Sequence, residues 1–175
     1  SGHSKGALTA IRQISEMQVD IPMLAMTHCD ASKLAKQHGK KAEYALCAAQ
    51  WHKSLSYKDK YFGNGMKYDK DFNAEYGYTP PYQAAESSAA LLVWKDAFER
   101  ANSTDTEKVR DALAKTDMQT FYGNIKFGSG GQNTAKPMVL FQVICDGDKC
   151  ENKVVAPTKW ASAKLVHPVP KWSER

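Results

Sequence analysis

The hydrophobic pattern of the first fifty residues alternates between helical and extended segments. In ALTAIRQISEM, apolar residues recur at three-residue steps, which predicts an amphipathic helix. The apolar run IPMLAM predicts a buried strand that ends at Thr27. A short helix from about Ser32 to His38 and a second apolar strand, EYALCAA, follow. This alternation predicts an α/β fold in which a parallel sheet is flanked by helices. In such sheets ligands lie beyond the carboxyl ends of the strands, which points to the loops after Met26 and Ala49.

The pattern in the middle of the chain predicts helices. An aromatic stripe with four-residue spacing predicts a helix that ends at Gly77 and packs into a core. The proline pair that begins at Pro80 breaks the chain, so we place a boundary there. The run Tyr82–Ala101 is apolar on most faces in its middle, which predicts a helix buried between other elements. Thr104 and Glu107 have capping-box spacing and open a second helix, so the two form a helical hairpin.

After Asp117 the chain changes to an extended pattern. FYGNIKF alternates, and the apolar run MVLFQVIC is followed by the reversal DGDK and by KVVAP, which predicts a C-terminal β-hairpin. The tail HPVPKWSER contains two prolines and cannot form a long regular element. We expect it to lie over the surface with Trp172 docked.

Composition narrows the class of protein. The 175 residues are 42% hydrophobic and 25% charged, which indicates a folded chain with a real core rather than disorder. The longest apolar runs fall short of a membrane helix, and the first residues lack the pattern of a signal peptide. The net charge of +5 comes from lysines interleaved with acids. We therefore expect a solvated surface and no nucleic-acid partner.

Cysteine spacing suggests an oxidising compartment. The sequence contains four cysteines, Cys29, Cys47, Cys145 and Cys150. Three pairings are possible, and the turn formers Asp146 and Gly147 favour a bond across the tight reversal between the last two, which leaves the first two as the second pair. Disulfides of this kind indicate export. Four buried free thiols remain the alternative, since cysteine is often buried.

Enzymatic and metal-binding sites are not supported by the sequence. A zinc site from His28, Cys29 and Cys47 would need a fourth ligand and a clustered spacing, so we predict no metal and no cofactor. A Cys29 nucleophile with His28 or His3 as base can be written down, but adjacent loop residues point their side chains apart and a disulfide would consume the thiol. We predict that the protein is not an enzyme.

Several ordered segments resemble one known family. These are YFGNGMKYDKDFNAEYGYTPPYQAAESSAALLVWKDAFERANSTDTEKVRDAL, then TFYGNIKF, GGQN, FQVICDG and the tail HPVPKW. In this order they resemble the C-terminal half of type I periplasmic binding proteins, the branched-chain amino acid receptors of ABC transporters. Such receptors are two-lobed clamshells longer than this chain, so the resemblance identifies the chain as a fragment that lacks the N-terminal half and the signal peptide.

The resemblance also implies a division into lobes. It assigns residues 1–79 to the second lobe, 80–136 to the first lobe as a helical hairpin and strand, and 137–156 to the second lobe again as a β-hairpin. Residues 157–175 form the tail. Hinges are then expected near Pro80 and Pro137. Ligand binding would close the hinge, because a solute that touches both lobes favours the closed state.

The resemblance further implies a set of ligand contacts. Family receptors place them after the first strand, after IPMLAM and at the start of the hairpin helix. The corresponding residues here are His3, Ser4, Thr27, His28, Cys29, Asp30 and Tyr82, with Trp51 beyond the next strand as a ring that could stack on a ligand and Glu86 as a weaker candidate. For the two histidines the alternative is a solvated loop position, and for Trp51 and Tyr82 it is ordinary packing.

The implied function is solute capture for an ABC permease in the membrane, with the protein located in the periplasm. Related amino acid receptors carry a glutamate for the ligand's ammonium in the second loop, where this chain has His28 or Asp30. The ligand is therefore either an amino acid or an organic acid without an ammonium, aromatic acids included. The alternative from another class is a secreted interaction module that uses the aromatic loop from Trp51 to Phe62 as a partner surface.

Overall fold

The computed structural model describes residues 4–27, 31–136 and 138–175. They form two compact units, of which unit 1 contains the described residues up to Ala49 and from Met138 onward, and unit 2 contains those from Gln50 to Lys136. The proline pair at Pro80 lies inside unit 2, because aromatic contacts join Trp51 to Phe121 across it. Pro137 lies outside the described residues. The lobe assignment of residues 1–79, 80–136 and 137–156 therefore stays a prediction.

Unit 1 is a mixed sheet with two helices. Its elements are α1 (Ser4–Glu16), β1 (Ala25–Met26), α2 (Ala31–His38), a 3-10 turn (Gly39–Ala42), β2 (Leu46–Ala49), β7 (Val139–Asp146) and β8 (Lys149–Ala156). The strands pair in the order β1-β2-β7-β8. The β1–β2 pair is parallel, but β7 is antiparallel to both of its neighbours. The α/β class is confirmed, and the predicted parallel sheet is a mixed one, because local patterns do not encode the direction in which a strand joins a sheet.

The core of unit 1 lies on the strands β2, β7 and β8. Leu46, Val139, Val143 and Val154 are each at most 2% exposed, and Leu34 of α2 is 1% exposed. Gln142 is also buried, and its side chain forms hydrogen bonds with the backbone of Tyr44, before β2, and of Val166 in the tail. The tail is docked as predicted: the Trp172 indole donates to the Val19 carbonyl over 3.0 Å.

The disulfide across the hairpin is confirmed. Cys145 and Cys150 are cross-strand partners in β7 and β8, and their sulfurs are bonded at 2.04 Å. Cys47 in β2 is disulfide-bonded as well, and Cys29, which the sequence pairs with it, lies outside the described residues. Among the described cysteines no thiol is free. The alternative of four free thiols is therefore wrong.

Unit 2 consists of helices with two short hairpins. Its elements are β3 (Lys58–Asp59), β4 (Gly63–Asn64), α3 (Gly65–Tyr76), α4 (Tyr82–Ala101), α5 (Thr106–Ala114), β5 (Asp117–Gln119) and β6 (Asn124–Lys126). β3 pairs with β4 and β5 with β6, both antiparallel. None of the described helices of either unit is long and apolar enough to cross a membrane.

The helix ends of unit 2 follow from their capping residues. The Asn64 side chain accepts from the Lys67 amide over 2.9 Å at the start of α3, and Gly77 ends that helix with φ of 76°. The predicted cap of α5 at Thr104 is wrong. Asp105 is the cap instead, and its carboxylate accepts from the Lys108 amide over 3.0 Å. Both residues are good N-caps, so the sequence alone does not discriminate between neighbours.

Two clusters hold unit 2 together. Ala97 of α4 packs on Val109 and Ala112 of α5, as expected for a helical hairpin. The second cluster is aromatic: Phe121 is fully buried and stacks on Tyr68 of α3 with ring centroids 4.2 Å apart. The predicted core stripe of α3 is thus confirmed at its first member.

The outer surfaces of α3 and α4 differ from the sequence prediction. Tyr76, the last member of the predicted core stripe of α3, is 61% exposed. The middle of α4 was predicted to be buried between other elements, but Leu91 is 69% exposed and Trp94 46%. Composition alone cannot say which face of an apolar helix has a neighbour.

Candidate functional site

The sequence-predicted site residues fall in different units. Ser4 is the first residue of α1, and Thr27 follows β1 as an exposed residue of unit 1. Trp51, Tyr82 and Glu86 belong to unit 2. The remaining candidates, His3, His28, Cys29 and Asp30, lie outside the described residues. The structure therefore describes the unit 2 candidates in most detail.

Trp51 is a core residue of unit 2. It is 4% exposed and makes edge-to-face contacts with Tyr68 and Phe121, with ring centroids 5.8 and 6.1 Å apart. Its indole nitrogen donates to the Phe121 carbonyl over 3.4 Å. Trp51 therefore packs as a core aromatic residue of unit 2, and its contact with a ligand stays a prediction.

Tyr82 and Glu86 mark one end of α4. Tyr82 is its first residue and is half-buried, and Glu86 lies one turn later with an exposed side chain. Both act electrostatically on Tyr122, which follows Phe121 and is 6% exposed. Burial is the main cause that raises the pKa of Tyr122, and the negative charge of Glu86 and then Tyr82 raise it further.

Lys136 also lies beside Tyr122, and we call Lys136, Tyr122 and Glu86 the Lys136 cluster. Its ammonium lies 4.2 Å from the centre of the Tyr122 ring and donates to the backbone carbonyl of Gln50. A side chain at residue 123 would overlap the lysine stem, and Gly123 also has φ of 151°, which favours glycine. The absence of a side chain at Gly123 therefore leaves space for the Lys136 side chain to lie against the Tyr122 ring.

The electrostatics of the cluster favour one protonation state at neutral pH. Burial lowers the pKa of Lys136 to about 8, while Glu86 opposes this shift. The lysine is therefore mostly charged near pH 7, and Tyr122 keeps its proton. Lys136, Glu86 and the phenol of Tyr122 together offer an ammonium, a carboxylate and a hydroxyl, which can orient a polar or charged partner.

A cavity of about 750 Å³ adjoins the cluster within unit 2. Glu86, Tyr122 and Lys136 are among the residues that line it. Its walls come from α4, α5, β6 and the turn after β6, and they are mainly apolar: Ala89, Ala90, Val93, Trp94, Leu113, Ala114, Ile125 and Phe127. This volume lies in the range of small-molecule pockets, ~300–1,000 Å³. No group of potential metal ligands occurs among the residues that the structure describes.

The pKa of Lys136 has a measurable consequence. Between about pH 8 and pH 10, the unfolded chain holds a lysine proton that the folded chain has released, because 10.5 is the ordinary value. The unfolded state then binds more protons, so the free energy of unfolding should rise with pH in this window. Urea melts of the wild type and Lys136→Met measure it, and the variant should lack the rise.

The tyrosine sets the upper limit of that window. Because the pKa of Tyr122 is raised, its ionisation in the unfolded state lowers stability above about pH 10.

Lys70→Met is the matched control for Lys136→Met, since Lys70 is an exposed lysine of α3. Identical pH profiles for wild type and Lys136→Met would contradict the assignment.

The sequence reasoning missed Lys136 and Tyr122. A lysine before a proline and a tyrosine in an alternating segment carry no motif. The one available signal was Gly123, which follows Tyr122 and precedes the β6 residues. Only folding brings Lys136 and Tyr122 together.

Comparison with known proteins agrees with the resemblance. A family model of periplasmic binding proteins matches residues 3–149. Among solved structures, a leucine binding protein from Thermotoga maritima is 21% identical with a TM-score of 0.70, and the match covers 90% of this chain and 44% of that one. A leucine-, isoleucine-, valine-, threonine- and alanine-binding protein from Brucella ovis, in a closed conformation, is 14% identical with a TM-score of 0.72, over 97% and 45% of the two chains.

A third relative was solved in complex with a ligand. The solute-binding protein of an ABC transporter from R. palustris, in complex with benzoate, is 16% identical with a TM-score of 0.64, over 94% and 45% of the chains. The chain thus spans less than half the length of each of these relatives. Identities this low establish the fold alone, whereas the family model covers most of the sequence. The chain therefore belongs to the periplasmic binding protein family.

Proposed function

We propose that this chain is part of the solute-binding component of an ABC import system, which captures a small amino acid or organic carboxylate and delivers it to a membrane permease. The observation that carries the proposal is the family match over residues 3–149. We also propose that the whole protein is periplasmic and continues before residue 1, because the chain corresponds to less than half of its solved relatives.

Hinge closure is the proposed mechanism. The chain passes from unit 1 to unit 2 after Ala49 and returns before Met138, so two crossings connect the units. This observation supports hinges at these two crossings rather than at Pro80. A solute that contacts both lobes of the whole protein binds the closed state better and shifts the population toward it. The shift is limited by the difference in affinity for the two states.

The relatives suggest the class of ligand. One is named for leucine, one for five amino acids, and one was solved with benzoate. These compounds share a carboxylate, and most of them carry it on an apolar body. We propose that hydroxyl and imidazole groups at His3, Ser4, Thr27, His28 and Tyr82 orient such a ligand, with Cys29 and Asp30 beside them. Leucine and benzoate differ in the ammonium, so they separate the two ligand classes.

Calorimetry tests this function. We expect the whole protein, which includes the polypeptide proposed to precede residue 1 and is here called the extended protein, to bind leucine, isoleucine or benzoate and to gain about 2.7 kcal/mol of stability at a ligand concentration of 100 Kd. The 175-residue chain should bind the same ligand weakly, because part of the cleft is absent. Tight stoichiometric binding to the short chain would show that this reasoning is wrong.

A tyrosine pair provides the matched control. Tyr82→Ala in the extended protein should weaken binding about tenfold, or ~1.4 kcal/mol, through loss of an aromatic wall with a hydroxyl. Tyr78→Ala should leave affinity unchanged, since Tyr78 is 55% exposed before the helix start. Absence of binding to all apolar carboxylates, or turnover of any of them, would overturn the proposed function.

A further inference from the structure

The aromatic loop from Trp51 to Phe62 presents a tyrosine to solvent beside two lysines. Tyr61 is 47% exposed and lies in the turn between β3 and β4. The Lys60 ammonium lies 5.0 Å from the centre of the tyrosine ring, and the Lys95 ammonium of α4 lies 5.4 Å from it. Two positive charges from different elements therefore converge on one exposed phenol.

The turn that carries Tyr61 is held by a carboxylate. One oxygen of Asp59 accepts from the amides of Tyr61 and Phe62 over 2.8 and 2.7 Å. The other oxygen accepts from the Phe121 amide over 2.6 Å, and Phe121 is fully buried. An aspartate that bonds the backbone two residues on is typical of an ordered turn. The backbone of Tyr61 is therefore anchored to the aromatic core of unit 2.

Lys95 is positioned by its own helix. Its ammonium pairs with the carboxylate of Glu99, one turn later on α4. The hydrogen bond to Glu99 is the main cause that raises the pKa of Lys95, and the contact with Tyr61 raises it further. Lys95 therefore stays protonated near neutral pH. A protonated lysine has no free electron pair, so it can stabilise a negative charge but cannot act as a nucleophile.

The two lysines favour the ionised form of Tyr61. The hydrogen bond from Lys95 is the main cause that lowers the pKa of this phenol, partial desolvation opposes the shift, and Lys60 lowers the pKa further. Burial instead raises the pKa of four other tyrosines, Tyr44, Tyr57, Tyr68 and Tyr122. A lowered pKa activates a nucleophilic side chain, because more of it is ionised at a given pH. Tyr61 thus combines solvent access with an environment that stabilises the phenolate.

We propose that Tyr61 is a site of covalent modification, at which the phenol oxygen accepts an activated acyl group while Lys60 and Lys95 stabilise the phenolate. The phenolate oxygen forms a bond to the carbonyl carbon, and the bond from that carbon to the leaving group breaks with its electron pair. With N-acetylimidazole as the acyl donor, the leaving imidazole takes up the proton that the phenol loses. The products are O-acetyltyrosine and imidazole. Tyr61 is not among the proposed ligand contacts, so this inference goes beyond the proposed function.

Acetylation of the folded 175-residue chain near neutral pH tests the proposal. Peptide mass spectrometry should show that N-acetylimidazole modifies Tyr61 at least about threefold faster than Tyr76 or Tyr78. Tyr76 and Tyr78 are 61% and 55% exposed, so solvent access favours these two tyrosines over Tyr61. A faster reaction at Tyr61 therefore reports on its lysines. Hydroxylamine should remove the acetyl group, which distinguishes a tyrosine ester from an acetylated lysine.

Lysine variants separate the effect of charge from that of access. Lys95→Met should slow acetylation of Tyr61 at least about twofold, and Lys60→Met with Lys95→Met should slow it to the rate of Tyr76. Lys108→Met, at an exposed residue of α5, is the matched control and should leave the rate unchanged. High salt should reduce the excess rate at Tyr61, because exposed charges are screened.

Three results would overturn the proposal. The first is acetylation of Tyr61 that is no faster than that of Tyr76 and Tyr78. The second is a rate at Tyr61 that Lys95→Met leaves unchanged, although the variant keeps the Tm of the wild type. The third is a label that resists hydroxylamine and lies on Lys60 or Lys95 in place of Tyr61.

Discussion

Phe121→Ala should lower the free energy of unfolding of unit 2 by about 3–5 kcal/mol. Phe121 is fully buried, and its ring contacts Trp51, Phe62 and Tyr68 at centroid distances of 4.2 to 6.1 Å. Truncation removes the stacking partner of Tyr68 and leaves a cavity that aromatic neighbours cannot fill. Its backbone amide, which donates to Asp59 over 2.6 Å, stays available in the variant. The loss is therefore assigned to packing.

Denaturant unfolding followed by tryptophan fluorescence measures this effect, because Trp51 lies in the cluster. Phe121→Leu keeps most of the volume and should cost less than the alanine change. Tyr76→Ala is the matched aromatic control, since Tyr76 is 61% exposed and should cost less than about 1 kcal/mol. Equal losses for Phe121→Ala and Tyr76→Ala would show that the cluster does not stabilise unit 2.

Gln142→Met should destabilise unit 1 by about 3 kcal/mol, although methionine has a similar shape. The amide of Gln142 donates to the carbonyls of Tyr44 and Val166 over 3.0 Å each, and its oxygen accepts from the Val166 amide over 2.9 Å. Gln142 itself is fully buried. The variant would leave three backbone groups without these partners, at about 1–3 kcal/mol for each group that stays buried.

Two measurements separate this effect from general loss of stability. Hydrogen exchange at the Val166 amide should accelerate more than exchange in β7, because the tail loses its bonds to Gln142 while the sheet remains paired. Gln83→Met at an exposed position of α4 is the matched control and should be neutral. Uniform acceleration across unit 1 would contradict a specific role in holding the tail.

Elements with strong local signals were predicted well. α4 begins at Tyr82 after the prolines and ends at Ala101, as expected. Proline before the helix and Asn102 in the left-handed conformation after it each set a helix end within one turn. Gly77 ends α3 for the same kind of local reason. The β7–β8 hairpin and its disulfide follow from a short turn with Asp146 and Gly147, where sequence neighbours are also spatial neighbours.

Features that depend on distant partners were predicted less well. The exposure of Leu91 is set by which elements surround α4, and a helix pattern holds no information about that. The antiparallel entry of β7 beside β2 is set by the path of the intervening chain. The boundary between the two units after Ala49 likewise depends on a distant contact, because Trp51 packs on Phe121, seventy residues later.

The sequence by itself determined the family, the α/β class, the main helices and the cross-hairpin disulfide, because ordered motifs, caps and turns act over short distances along the chain. The tertiary structure alone decided the meeting of Lys136 with Tyr122 and Gln50, the burial of Trp51 and the exposure of Leu91 and Trp94 on α4. These depend on packing between residues far apart in the sequence. Such contacts form only when non-local burial outweighs the entropy of ordering the chain between them.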